Sequence, residues 1–173
     1  MVDWQGIVRR DGPVVWRTVY RLLGNRADAE DCYQETFLSA LEIWRRHSVR
    51  NSRAMLQRLA TARAMDRLRS RYRNAARPIV AGVSVECDQT ASAAPGPPEA
   101  VESAELSARL REALATLPAR QADVFCLFCL DGWSYQEIAD HLHVTLDSVG
   151  VLLHRARGKL RLKLAALAPD KVN

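Results

Sequence analysis

The sequence predicts an all-α chain of two small helical domains joined by a flexible linker, the second domain being a helix-turn-helix. Three observations predict it. Apolar residues recur at helical spacing, no strand-like alternation is visible, and a stretch rich in Pro, Gly, Ala and Ser divides the chain. The boundaries fall at 1–74, 75–103 for the linker, and 104–173. Hydrophobic residues make up 48% of the 173, enough for a packed core, and aromatics only 6%, which suits helices built on Leu and Ala.

Val14 to Leu23 reads as a short helix closing near Gly24-Asn25. Asp28 is the expected cap of a second helix running to about Arg46. Its apolar positions are Tyr33, Phe37, Leu38, Leu41 and Trp44, and its early acids Asp28, Glu30 and Asp31 complement the helix dipole. His47 to Ser52 has no periodicity and reads as a loop. A third helix is expected from about Arg53 to Arg73, with Met55, Leu56, Leu59, Ala62, Met65 and Leu68 as its buried stripe.

Pro78, Gly82, Pro95, Gly96, Pro97 and Pro98 mark the linker. Helical pattern resumes near Ser103 and ends at Leu117-Pro118. Pro118 opens a helix from Ala119 to Leu130, closed by Asp131-Gly132. Ser134 and Glu137 then form a capping box for a short helix, Tyr135 to Leu142. The turn His143-Val144-Thr145 leads into a longer helix from Leu146, with Val149, Leu153, Ala156, Leu160 and Leu164 on one face. A short helix with a small crossing residue (Ala139), a tight turn, and a longer helix with a polar and basic outer face make the layout that places its second helix in the DNA major groove.

Charge supports a nucleic-acid partner. The net charge is +5 and the pI about 9.3. Ten Arg and one acid, Asp66, lie between Arg45 and Arg73, and five bases and no acid between Arg155 and Lys163. Such patches neutralise phosphates, although solvated helix faces carry similar runs. No apolar run is long enough for a transmembrane helix and no signal-peptide pattern opens the chain, so the expected location is cytoplasmic. Cys126 and Cys129 have CxxC spacing but sit in an apolar helical run without a second ligand pair. They read as buried small hydrophobes, and no metal or cofactor is expected. The four His are scattered, and no HExxH, P-loop or GxSxG is present, so no catalytic residue is assigned.

Two long motifs carry a family resemblance. The first is Leu22-Leu23-Gly24-Asn25-Arg26-Ala27-Asp28-Ala29-Glu30-Asp31, continuing through Gln34-Glu35-Thr36-Phe37. The second is Leu117-Pro118-Ala119-Arg120-Gln121, then Gly132-Trp133-Ser134-Tyr135-Gln136-Glu137-Ile138-Ala139 and His154-Arg155-Ala156-Arg157, with Ala64 to Arg69 as a weaker third. With these, the chain resembles the extracytoplasmic-function (ECF) group of bacterial RNA polymerase sigma factors.

The resemblance implies a region-2-like domain, a linker and a region-4-like domain that together bind core RNA polymerase and direct promoter-specific initiation without catalysis of their own. It implies that Asp31, Gln34 and Glu35 face the β′ clamp coiled coil, with the β subunit as a further contact. It assigns the minus-ten element to the loop 47–52 and the third helix, with Arg58, Arg63, Arg67, Arg69 and Arg71 as candidates. It assigns the minus-thirty-five element to Ser148, Val151, His154, Arg155, Arg157 and Lys159. An anti-sigma factor is the expected regulator.

The recognition helix departs from the family pattern at Gly150, Val151 and Leu152, which cannot donate hydrogen bonds to base edges, although Val151 can meet a thymine methyl. Met55 and Ala62 stand where an aromatic and an Asn are common. The competing reading is a helix-turn-helix regulator that binds operators without polymerase. The basic first domain, short of pocket-forming aromatics, does not resemble a sensor domain.

Overall fold

The computed structural model describes residues 3–49, 51–75 and 98–166. They form seven α-helices and one π-helical turn, with no strand among them. Three helices build the N-terminal unit: α1 (Trp4–Leu23), α2 (Arg26–Arg46) and α3 (Ser52–Ala75). The C-terminal unit contains α4 (Pro98–Ala115), α5 (Ala119–Phe125), the π-turn (Cys126–Leu130), α6 (Tyr135–Leu142) and α7 (Leu146–Ala166). Most of the expected linker, 76–97, lies outside the described residues. Its flanks at Ala75 and from Pro98 are helical, so α4 opens before the expected Ser103.

Helix α1 starts at Trp4 rather than Val14 and runs through Gly12 and Pro13. Asp3 caps it by accepting from the Gly6 amide at 2.9 Å. Tertiary packing overrides the breakers: Ile7, Val15, Val19, Leu22 and Leu23 are buried on one side. Gly12 gives α2 room for a close approach: a Cβ there would lie 2.7 Å from the Tyr33 hydroxyl, so the Tyr33 ring would have to shift. Gly24 closes the helix in the left-handed conformation (φ 73°), donating to the Tyr20 carbonyl. The cap of α2 is Asn25, not Asp28. The Asn25 side chain accepts from the Asp28 amide at 2.8 Å and donates to the Asp28 carboxylate at 2.8 Å.

The buried stripes follow the expected faces with three exceptions. Leu38 is exposed, because the inward face of α2 is narrow and filled by Ala29, Cys32, Thr36 and Ala40. Ala62 is exposed on α3, where Ala60 and Ala64 fill the core positions instead. Cys129 is exposed while Cys126 is buried, so only one cysteine of the CxxC pair is the expected core residue.

Two buried clusters result. The larger joins α1, α2 and α3 to Ala113, Leu114, Leu117, Ala122, Cys126, Ala156 and Leu160 of the C-terminal unit. The smaller holds the helix-turn-helix together through Val124, Leu127, Ile138, Ala139, Val149 and Leu153. Ser134 and Glu137 form the expected capping box. His143 takes the left-handed conformation at φ 53°, a strained position for a side chain in the turn before α7.

Gly150 and Gly158 sit inside α7 without a packing reason. A Cβ at Gly150 would make an ordinary 3.8 Å contact with Tyr135, and one at Gly158 would meet open space. Gly150→Ala should therefore stabilise the protein by about 1 kcal/mol, the difference in helix propensity, and raise the melting temperature by about 2–4 °C. An unchanged or lower melting temperature would show that residue 150 resists ordinary helical geometry.

Candidate nucleic-acid interface

The outer face of α7 is set by its inner one. With Val149, Leu153, Ala156 and Leu160 buried, the opposite side presents Asp147, Val151, His154, Arg155, Lys159 and Leu162 to solvent. Val151 is 47% exposed. Ser148, an expected base contact, is half-buried and engaged locally. Its amide donates to the Thr145 hydroxyl at 3.2 Å, and the two hydroxyls lie 2.8 Å apart, so Thr145 caps α7 with Ser148 as its partner. Arg157 is exposed but its guanidinium lies over the Phe128 ring, 5.4 Å from the centroid. Val151, His154, Arg155 and Lys159 are thus the expected residues left on a common solvent-facing surface.

The arginines of α3 divide into two groups. Arg63, Arg67 and Arg71 lie at i, i+4 and i+8 and turn toward α2. Arg63 pairs with Glu35 at 3.2 Å and donates to the Ser39 hydroxyl. Arg67 pairs with Glu35 at 3.2 Å and Asp31 at 3.5 Å, and donates to the Asp28 carbonyl at 3.1 Å. Arg71 donates to the Leu23 carbonyl at 3.1 Å and approaches Asp28 at 3.8 Å. The family resemblance implied Asp31 and Glu35 for one surface and these arginines for another; the fold places them in one ion-pair network between α2 and α3. Asp31 is still 67% exposed and Gln34 is exposed, so that edge of α2 remains open to a partner.

Arg58 and Arg69 point the other way, toward the C-terminal unit. Arg69 pairs with Asp66 at 3.3 Å and its other Nη is buried without a hydrogen bond. Burial raises the Asp123 carboxyl above its usual range, against the opposing pull of Arg69, with Arg58 as a lesser contributor. Arg58 is exposed. Beside it, the loop enters α3 through Asn51, which accepts from the Ala54 amide at 3.0 Å. Ser52 donates to the buried Asp11 carboxylate of α1 at 3.0 Å, and Arg10 donates to both. Burial alone would raise Asp11, but these hydrogen bonds hold its carboxyl below the ordinary value.

Between the two units lies a cleft of about 1030 Å³, with Asn51, Arg53 and Gln57 on one wall and Glu137, Asp140 and His141 on the other. Its floor contains contacts that the motif reading missed. Asp131 accepts from Thr18 at 2.6 Å and Thr61 at 3.2 Å, and the Trp133 indole donates to the Gln57 side chain at 3.2 Å. Burial pushes the Asp131 carboxyl up, partly offset by the two hydroxyls. The available signal was three polar residues, Thr18, Gln57 and Thr61, at positions where the helical period asks for core.

These placements separate two roles for the arginines. Arg67→Ala should lower unfolding stability by about 1 kcal/mol or more, because it leaves Glu35 and Asp31 facing each other without their shared cation. Arg58→Ala, at an exposed position, should leave stability within about 0.5 kcal/mol. Equal loss of stability in both, measured by denaturant titration, would overturn the division.

His141 adds a pH signature. Burial, then Arg58 and His143, depress its pKa, so the unfolded chain takes up the proton first as pH falls. The stability held with neutral His141 is complete above the unfolded value of about 6.5 and is lost as pH falls through the lower folded value. Wild type should melt at a lower temperature at pH 5.5 than at 7.5, and His141→Gln should shrink that difference; an undiminished difference would place the titration elsewhere.

Comparison with known proteins is consistent with this geometry. Residues 7–74 match the family model for Sigma-70 region 2, and residues 107–160 match that for Sigma-70, region 4. ECF RNA polymerase sigma factor SigL of Mycobacterium tuberculosis is 35% identical over 160 residues, covering 89% of this chain and 84% of the relative. SigW of Bacillus subtilis is 32% identical over 165 residues, covering 88% and 84%. SigE of Mycolicibacterium smegmatis is 34% identical over 165 residues, covering 95% of this chain; the chain spans 63% of that relative's length. The fold is shared with two proteins solved in complexes. One is RpoE with the anti-sigma factor NepR from Bartonella quintana (TM-score 0.55, 20% identity, 94% of this chain and 97% of that one). The other is CnrH with the cytosolic domain of CnrY (TM-score 0.60, 22% identity, 95% and 88%). Two regional matches in the expected order, and relatives aligned across both units, establish that the chain belongs to the ECF family of RNA polymerase sigma factors.

Proposed function

We propose that this protein is a sigma factor that binds core RNA polymerase and directs initiation at a two-part promoter. The observation that carries the reading is the outward face of α7, with Val151, His154, Arg155 and Lys159 exposed behind a capped helix-turn-helix, in the same chain as a region 2 unit. The N-terminal half of such a helix reads base edges in the major groove, and its basic side chains hold phosphates. Val151 takes a thymine methyl, Arg155 a guanine edge and Lys159 the backbone. Arg58 and the loop before α3 serve the minus-ten strand. The open edge of α2, with Asp31, Gln34 and Glu35, serves the β′ clamp coiled coil, and the β subunit supplies a further contact. The protein works by binding, with no catalytic step, and a cytoplasmic location follows from that role; no helix among the described residues is long and apolar enough to cross a membrane. The family named by the two regional matches favours this reading over an operator-binding regulator that acts without polymerase. One relative in fold, RpoE, is seen with the anti-sigma factor NepR, which supports an anti-sigma factor as this protein's regulator too.

The test is in vitro transcription with purified core polymerase on a pooled promoter library, with and without the protein. Start sites that depend on it should share two spaced elements. Arg155→Ala should relax preference at one position of the upstream element, costing about 1–3 kcal/mol, whereas Lys159→Ala should weaken all promoters evenly and reduce the salt slope by about one. No new start sites and no binding to core polymerase would refute the reading.

A further inference from the structure

Among the described residues, four of the five side-chain hydrogen bonds that join the two units reach one short segment of the C-terminal unit, Leu130 to Trp133; the fifth runs from the Tyr72 hydroxyl to the Ala108 carbonyl of α4 at 3.4 Å. Thr18 and Thr61 are 3% and 2% exposed, and each finds its hydrogen-bond partner across the boundary on Asp131. Gln57 is 6% exposed and receives the Trp133 indole. Arg21 donates to the Leu130 carbonyl at 2.6 Å. Thr36 shows the alternative. Equally buried but inside the N-terminal unit, it satisfies itself by donating to the Cys32 carbonyl one turn back. Thr18 and Thr61 also sit in helices, yet reach across instead.

A buried polar patch of this kind suits a surface that is covered at one time and wet at another. Its groups are hydrogen-bonded when docked and hydrated when apart, so neither state leaves them unpaired.

The π-turn delivers the segment. Its wider winding lets the Asp131 amide bond back to Cys126 at 3.1 Å, and the Trp133 amide bonds to Leu127 at 3.0 Å. Gly132, at φ 73°, then turns the chain between them. Asp131 and Trp133 are thereby aimed at α1 and α3 from one rigid corner.

Docking has a consequence for nucleic acid. Arg69 is only 18% exposed, and the cleft above Asp131 sets Glu137 and Asp140 opposite Arg53 and Asn51 at the entrance of α3. Carboxylates on that wall repel the phosphates of an incoming strand.

We propose that the Leu130–Trp133 segment is an autoinhibitory latch, which holds the C-terminal unit over the minus-ten face of α3 and must be released before the protein engages polymerase and promoter. The inference rests on the sigma-factor reading. The closed form lowers the apparent affinity for polymerase by the fraction of molecules that stand open, so weakening the latch raises that affinity.

The test uses the full chain. Thr18→Val with Thr61→Val removes both hydroxyls at nearly constant volume and leaves the C-terminal unit untouched, while Asp131→Ala removes the acceptor from the other side. Each removes two hydrogen bonds to Asp131 and should increase the radius of gyration in small-angle X-ray scattering and tighten binding to core polymerase by about tenfold or more, tenfold being the factor that one hydrogen bond to a charged group represents. If the threonine variant does not fold, the Asp131→Ala result decides alone. Variants as compact as wild type with unchanged polymerase affinity overturn the latch, as does expansion with weaker binding. Expansion of the variants while neither they nor wild type bind core polymerase supports the closure and instead refutes the sigma-factor reading.

Discussion

Helix α3 has neighbours on three sides, and its sequence divides its circumference among them. Leu56, Ala60, Ala64 and Leu68 repeat every four residues and form the apolar side. Arg63, Arg67 and Arg71 repeat at the same interval and lie along the acids of α2. Gln57 and Thr61 face the corner at Asp131 and Trp133. Because one rotation of the helix serves all three, none can shift alone. Turning α3 to free the arginines would bring Ala60 and Ala64 out of the core and withdraw Thr61 from Asp131. The helix is therefore fixed by agreement among three weak patterns, with the apolar one supplying most of the energy.

That agreement explains what the sequence could and could not reveal. Periodicity exposed the helices, and capping chemistry located the ends at Ser134 and Gly132, because both signals are local. The outward face of α7 was legible for the same reason: burying Val149, Leu153 and Ala156 fixes where His154 and Arg155 point. The start of α1 was not legible. Gly12 looks like a breaker until the Tyr33 hydroxyl is seen in the space its side chain would fill, and Tyr33 is on another helix. The partition of the arginines was hidden likewise. A run of Arg at one spacing is the same string whether it meets phosphate or Glu35, and only the position of α2 tells them apart.

Charge in this protein is consequently local rather than a uniform coat. The excess of Arg in α3 is partly neutralised by Asp28, Asp31 and Glu35, so the cations left for nucleic acid are fewer than a count implies. Arg58 and the outward face of α7 are left exposed, far apart along the chain and mounted on units with separate capping signals. The relative orientation of those two surfaces decides whether one promoter can meet both.

The junction between the units is chemically unlike either interior. Leu68, Leu114 and Leu117 continue the apolar core across it, whereas Thr18, Gln57, Thr61 and Asp131 introduce hydroxyls, an amide and a carboxylate at its edge. An interface meant only for strength would extend the leucines, since apolar replacement of buried polar groups is often neutral or better. Polar groups at such a place give up some affinity and keep both separated faces compatible with water. That trade suits two units that must fit each other in one state and promoter DNA in another.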